Sequence, residues 1–272
     1  MTFHLVSHEW ICGNAFKSLC RHVMDQSGVI DPMAVEEGDL IFVKGSHLYR
    51  FFLEVHPKIA CRYVLFSHNY PIETPGSFSR FVQDPKLIAW FGSNLTMDHP
   101  KLFLLPLGIQ NPDPWTSRDA SLEKWHQLSQ SIEKPFLLYL NFSDQTSSDR
   151  NRIRKLFESS SFCVSSPRKP FDQYFQDLAK SRFVLSPRGI GIDCFRTWEA
   201  ILMGAIPIVQ TSPLDRLFEG LPVLIVNEWE EITEEFLLEN ERKMRARPID
   251  WDKLRPESWI TVLRQILLEF HK

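Results

Sequence analysis

Short apolar runs alternate with amphipathic stretches along the whole chain. In the first half the runs lie at 39–45 (DLIFVKG), 61–69 (CRYVLFSHN), 86–94 (KLIAWFGSN) and 101–108 (KLFLLPLG), each followed by a polar or glycine-bearing turn. Helical patterning falls at 14–26 (NAFKSLCRHVMDQ) and 46–57 (SHLYRFFLEVHP). The second half restarts the alternation. Strands are predicted at 135–143, 162–166, 182–187, 205–209 and 221–226, and helices at 148–159, 170–181, 193–203 and 228–239. Ser148 and Asp193 are the expected N-caps and Gly204 the expected stop of the third of these helices. An amphipathic helix over 256–272 closes the chain. Such alternation predicts an α/β protein with parallel sheets, whose ligands bind at the carboxyl ends of the strands.

Between the halves, 111–135 (NPDPWTSRDASLEKWHQLSQSIEKP) is polar, has prolines at both ends and shows no strong apolar period. It reads as a partly helical interdomain connection. The expected division is a first domain over 1–125, a second over 126–250, and a terminal helix over 251–272 that could cross back to the first.

At 272 residues the chain is long enough for two domains. With 43% hydrophobic and 24% charged residues it has the composition of a globular protein. A formal charge of −3 argues against wholesale binding of nucleic acid, which normally needs a basic surface. Five dispersed cysteines with no CxxC pair predict reduced thiols rather than a zinc ribbon or disulfide framework. The opening MTFHLVSHEWICGNAF lacks the basic and apolar regions of a signal peptide, and no apolar run reaches membrane-spanning length. Cytoplasmic location is the expectation, with peripheral membrane association left open. The sequons at Asn94 and Asn141 are read as chance matches.

The chemistry concentrates in 181–209, SRFVLSPRGIGIDCFRTWEAILMGAIPIV. It reads as strand, glycine-bearing loop, helix, turn and strand. On the helix, Cys194, Trp198, Ile201 and Leu202 share a core face, while Arg196 and Glu199 are neighbours three residues apart. The helix N-terminus offers free N–H groups, and arginines offer forked donors for phosphate oxygens. A glutamate suits the paired hydroxyls of a ribose. Arg188, Gly189, Arg196 and Glu199 together therefore suggest a nucleotide diphosphate site. The same residues also fit a surface Arg–Glu pair beside a glycine-rich connection.

This stretch, with LFEGLPVLIV and EWEEITEEFL after it, resembles the nucleotide-sugar-binding half of exostosin-type glycosyltransferases over 135–238. The resemblance implies the GT-B fold, two Rossmann-like domains facing a cleft, and transfer of a sugar from a nucleotide donor. It implies UDP as the default nucleotide and inversion at the anomeric carbon. It also puts Arg188 near the diphosphate, Arg196 beside the phosphate or the glutamate, and Glu199 on the ribose. The GIGID insert departs from the family pattern and leaves the phosphate-binding amides undefined.

Further donor-site candidates are Arg150 and Arg152 after the first strand of the second half, and Arg168 in the loop after the next. A solvated basic face and a plain loop are the competing readings. Sugar transfer needs a group to take the acceptor proton. His68, just past a strand end, has a suitable ordinary pKa, and Glu73 is the competing carboxylate. Lys44 and His47 are candidates for acceptor binding, with a capped turn as the alternative. The His/Asp cluster at Asp98-His99 lacks partners at ligand spacing, so no metal is expected; arginines and helix dipoles would stabilise the leaving diphosphate. The expected partners are a nucleotide-sugar and a glycan or other hydroxyl acceptor. The alternatives are a GDP-sugar-dependent, fucosyltransferase-like enzyme and a non-catalytic module that binds a nucleotide or glycan.

Overall fold

A computed structural model describes residues 9–113 and 115–270; the leader reading of the opening stretch therefore falls largely outside the described residues. The chain divides into two compact units. One comprises Met1–Gln110 with Asp252–Lys272, the other Asn111–Trp251. The boundary thus falls at the start of the polar connection rather than at residue 125, and the terminal segment counts with the first unit.

The first unit holds a parallel sheet of β1 (His22–Met24), β2 (Asp39–Lys44), β3 (Tyr63–His68), β4 (Leu87–Gly92) and β5 (Leu102–Leu104), arranged in chain order. The apolar runs predict β2 to β4 well, because central parallel strands are buried on both faces, whereas edge strand β5 takes up only 102–104 of the run 101–108. The predicted helix over 14–26 is corrected. Only α1 (Gly13–Lys17) is helical, and the chain then turns into β1, which pairs Val23 with Phe42. The second predicted helix is α2 (Leu48–Arg50) continued by a π-helical turn, Phe51–Val55. Phe51 and Phe52 pack on the face bearing Tyr63 and Trp90. The opposite face, with Leu40, Phe42, Val64, Phe66 and Phe91, is covered by Phe16 of α1 and by Leu263 and Leu267 of the C-terminal helix Pro256–Phe270.

In the second unit the sheet contains β6 (Phe136–Leu140), β7 (Cys163–Ser165), β8 (Ser181–Leu185), β9 (Ile206–Gln210) and β10 (Leu224–Val226), all parallel. Its order is β10-β9-β8-β6-β7. Its helices are α3 (Arg118–Ser129), α4 (Asp149–Phe157), α5 (Phe171–Ala179), α6 (Phe195–Leu202) and α7 (Glu234–Arg245); α8 is the Pro256–Phe270 helix of the first unit. Ile153 and Phe157 of α4 and Leu237 of α7 pack on one face of the sheet with Leu138, Phe183 and Ile208. The helix predicted over 228–239 is interrupted. A short turn, Trp229–Glu231, ends before Thr233, whose hydroxyl accepts from the Phe236 N–H and starts α7. Gly204 ends α6 in the left-handed region at φ 66°. Lys134 Nζ donates to the carbonyls of Ala179 (2.6 Å) and Met203 (2.9 Å), at the ends of α5 and α6. Burial lowers its pKa to about 8.

Both sequons are closed in this fold. Asn94 is fully buried, and Asn141 Nδ2 donates to Ser166 Oγ (2.9 Å) and Pro167 O (2.7 Å). All five cysteines are free. Among the described residues no helix is long and apolar enough to cross a membrane.

Candidate functional site

In an open parallel sheet the ligand crevice lies beyond the carboxyl ends of the strands, where the strand order reverses. The first sheet runs in chain order and has no such reversal among its described strands. The second sheet reverses between β6 and β8: β7 lies to one side of β6, and β8, β9 and β10 follow on the other. The loops after β6 (141–148) and β8 (186–194) therefore flank the crevice.

Arg150, in the first turn of α4, ties these two loops together. It is 5% exposed. Its Nη1 donates to Ser143 O (3.1 Å), Nη2 to Pro187 O (2.8 Å) and Nε to Arg188 O (2.9 Å). Gly189 allows this approach, since a Cβ there would stand 3.1 Å from Arg150 Nη2. Arg196 approaches from α6. Its Nε donates to Asn141 O (2.8 Å), and its buried Nη1 has no partner. Arg150, Arg154 and Arg196 all lie against the Phe142 ring, at 5.4, 5.1 and 5.7 Å. Only Arg154 has a carboxylate, that of Asp144 at 2.9 Å. The other two guanidinium groups bond to main-chain carbonyls, and Arg150 also to Cys194 Sγ at 3.6 Å, so neither is hydrogen-bonded to a carboxylate. Burial accordingly lowers the Arg150 pKa.

Glu199 is 6% exposed, and its two hydrogen-bond partners are not Arg196. Its Oε1 accepts from Arg118 Nη2 (2.6 Å) and its Oε2 from the Tyr174 hydroxyl (2.9 Å). The expected support of Glu199 by Arg196 is thus replaced by a group in the polar connection. Arg118 is wholly buried, its guanidinium over the rings of Phe171 (6.0 Å) and Phe175 (5.8 Å). The connection is therefore docked rather than loose. Arg118 lies in a stretch whose polar composition hides it. The available sign was that Arg118, Leu122, Trp125 and Ser129 recur at helical spacing, and all four are buried.

A cavity of about 220 Å³ opens beside the β8 loop, bordered by Ser186, Arg188, Asp193, Thr197, Thr211 and Ser212 among others. Arg188 is exposed there. Asp193 is not the N-cap of α6; Cys194 occupies that position. The Asp193 carboxylate instead accepts from Trp198 Nε1 (2.9 Å) and from the Cys194 N–H (2.8 Å), anchoring the loop to the helix. Two predicted donor-site arginines are not drawn in. Arg152 is exposed and pairs with Glu230, and Arg168 is exposed in the loop after β7.

In the first unit, His68 is 1% exposed at the end of β3. Its Nε2 lies 3.0 Å from Pro106 O, its Nδ1 accepts the Asn69 N–H (2.7 Å), and its ring packs against Phe16. Burial lowers its pKa. Both nitrogens are occupied within the fold, which corrects the expectation that His68 takes an acceptor proton. Glu73 is half-buried in the following loop. Lys44 Nζ donates to Gln26 Oε1 (3.1 Å), and His47 Nδ1 meets Ser46 Oγ (3.1 Å) at the helical turn after β2.

A family model described as the RXYLT1 C-terminal domain matches residues 126–269, just over half the chain. The chain is 30% identical over 106 residues to a Danio rerio protein named ribitol-5-phosphate xylosyltransferase 1. That match covers 34% of this chain and 24% of the relative, so the chain spans about a quarter of the relative's length. Similar solved structures include the catalytic domain of starch synthase IV from Arabidopsis thaliana bound to ADP and acarbose. That comparison has a TM-score of 0.38 and 11% identity, over 86% of this chain and 73% of the other. TarM has a TM-score of 0.44 and 10% identity, over 84% and 54%. A glycosyltransferase from Rickettsia africae ESF-5 has a TM-score of 0.41 and 11% identity, over 84% and 77%.

Proposed function

This chain belongs to the RXYLT1 C-terminal domain family, and we propose that it is a glycosyltransferase that moves a sugar from a nucleotide diphosphate to a hydroxyl acceptor. The observation that carries this reading is the pair of guanidinium groups, Arg150 and Arg196, held against Phe142 at the switch point of the second sheet without a carboxylate between them. Arg150 is buried and Arg196 half-buried, and cations so placed without a carboxylate partner are costly unless an anion joins them. A diphosphate supplies that anion, and Arg188 stands beside it. Glu199 receives the ribose. At about 220 Å³ the cavity is smaller than the roughly 300–1,000 Å³ of a whole ligand site. Its lining combines hydroxyls and two aspartates, Asp149 and Asp193, with apolar Ile153, Val209 and Phe218, and we assign it to the sugar alone.

In the transfer, the acceptor oxygen forms a bond to the anomeric carbon as the bond from that carbon to the phosphate oxygen breaks. The electron pair leaves with the nucleoside diphosphate, where Arg188 and Arg196 stabilise it without a metal ion. The acceptor proton passes to a general base, and transfer by Glu73→Gln tests whether Glu73 supplies it. Inversion and UDP follow the exostosin-type resemblance of 181–209. The relative's name makes a xylosyl donor and a ribitol phosphate acceptor the first pair to test, with Lys44 and His47 as acceptor-side groups. The purified chain is screened by thermal shift against UDP, GDP, ADP, CMP and dTDP. It is then assayed for transfer from UDP-xylose to ribitol 5-phosphate with and without EDTA. A nucleotide at a hundredfold excess over Kd stabilises its site by about 2.7 kcal/mol. If no nucleotide shifts the melt, the reading fails. Binding without transfer to any acceptor would turn it into a non-catalytic module.

A further inference from the structure

Glu199 is an unusual group to leave for a ligand, because it is only 6% exposed and already holds two donors. A carboxylate accepts about four hydrogen bonds, so each oxygen retains one free direction. The two donors come from different helices. Tyr174 is on α5, and Arg118 begins α3, eight residues ahead of the matched family region. Arg118 is itself fixed. It is wholly buried, packed over Phe171 and Phe175, and bonded to Asp119 at 3.1 Å. Farther along α3, Trp125 Nε1 donates to Asp172 Oδ1 (3.0 Å), which pins the helix to α5.

We infer that Arg118 is a positioning residue for nucleotide recognition: with Tyr174 it clamps Glu199 in the one orientation that turns its remaining acceptor sites to the ribose hydroxyls. The inference rests on the nucleotide-sugar reading of the site. The clamp makes recognition of the ribose depend on a residue ahead of the matched family region, while recognition of the diphosphate depends on Arg150 and Arg196.

The two parts are separable by titration calorimetry with UDP and 2′-deoxy-UDP, and with GDP and 2′-deoxy-GDP, on the wild type, Arg118→Met, Arg118→Lys and Tyr174→Phe. Wild type is expected to prefer the ribonucleotide by roughly tenfold or more, the worth of a hydrogen bond to a charged group. Arg118→Met is expected to bring that preference near unity while still binding the deoxynucleotide, and Arg118→Lys to restore part of it. A merely structural role would weaken ribo- and deoxynucleotide alike and leave their ratio unchanged. An unchanged ratio in a folded Arg118→Met protein overturns the inference while leaving the function reading in place. If Arg118→Met does not fold, Tyr174→Phe decides by the same ratio. Absence of nucleotide binding by the wild type overturns the function reading and this inference with it.

Discussion

Replacing Arg196 with methionine separates what this side chain does for folding from what it does for a ligand. In the fold it makes one hydrogen bond, to Asn141 O at 2.8 Å, and leaves Nη1 buried without a partner. Losing a charged donor costs about 1.5–3 kcal/mol, and removing an unsatisfied buried donor returns about 1–3 kcal/mol. Methionine also keeps an apolar stem over Phe142. The terms nearly cancel, so stability is expected to change by no more than about 1 kcal/mol, or roughly 2–4 °C in Tm for a unit of this size. Binding has no such compensation. A lost charge-assisted contact to phosphate weakens a nucleoside diphosphate by about 10- to 150-fold. Thermal melts and calorimetry with UDP and GDP measure both quantities on one preparation. A fall in Tm beyond roughly 8 °C would show that the guanidinium is a structural strut. Unchanged affinity in a folded variant would show that the guanidinium does not face the ligand. Either result refutes the reasoning.

Other expectations follow from the same contacts. Lys134 has a folded pKa of about 8, below its ordinary 10.5. Over that interval the unfolded chain binds more protons, so the penalty of burying the charge is full below about pH 8 and fades as pH rises toward 10.5. Wild type should gain about 1–2 kcal/mol relative to Lys134→Met between pH 7 and 10, after allowance for partial exposure, in urea titrations; parallel pH slopes in the two proteins would contradict this. Gly108 lies at φ 69°, and a Cβ there would come within 2.2 Å of Ile11 O, a backbone atom that cannot swing aside. Gly108→Ala should therefore destabilise the first unit by about 3 kcal/mol or more, read as a lowered denaturation midpoint; a loss under about 1 kcal/mol would mean the backbone yields there.

What the sequence made legible depended on how local each cause is. β2, β3 and β4 announce themselves because a strand buried on both faces must be apolar throughout. Gly204 announces the end of α6 because few other residues tolerate its conformation. β1 did not, since three residues paired with one neighbour carry too little pattern to interrupt an apparent helix. The switch point is set by strand order, which no single stretch encodes. That Arg150 turns inward, rather than Arg152 two residues on, follows instead from helical spacing, since Arg150, Ile153 and Phe157 form the buried face of α4. Arg118 and His68 show the same limit from opposite sides. A polar linker arginine proved to be wholly buried because Glu199, Phe171 and Phe175 meet it from far along the chain. A histidine well placed for proton transfer proved to be committed to Pro106 and Asn69. Residue type and spacing proposed the chemistry, and long-range contacts assigned the side chains to it.

The face of the first sheet that carries Phe42, Phe66 and Phe91 is completed by Leu263 and Leu267 of α8, and the main chain joins there too, through the Ile11 N–H and Leu254 O at 3.0 Å. A ribosome must therefore finish the whole of 111–251 before it makes the helix that seals the unit it began first. During synthesis the second unit has all its parts in hand while the first waits with an aromatic-rich face unsealed. The order of translation is thus the reverse of the order in which the two units can become complete, and a chaperone would meet this protein at its earlier half.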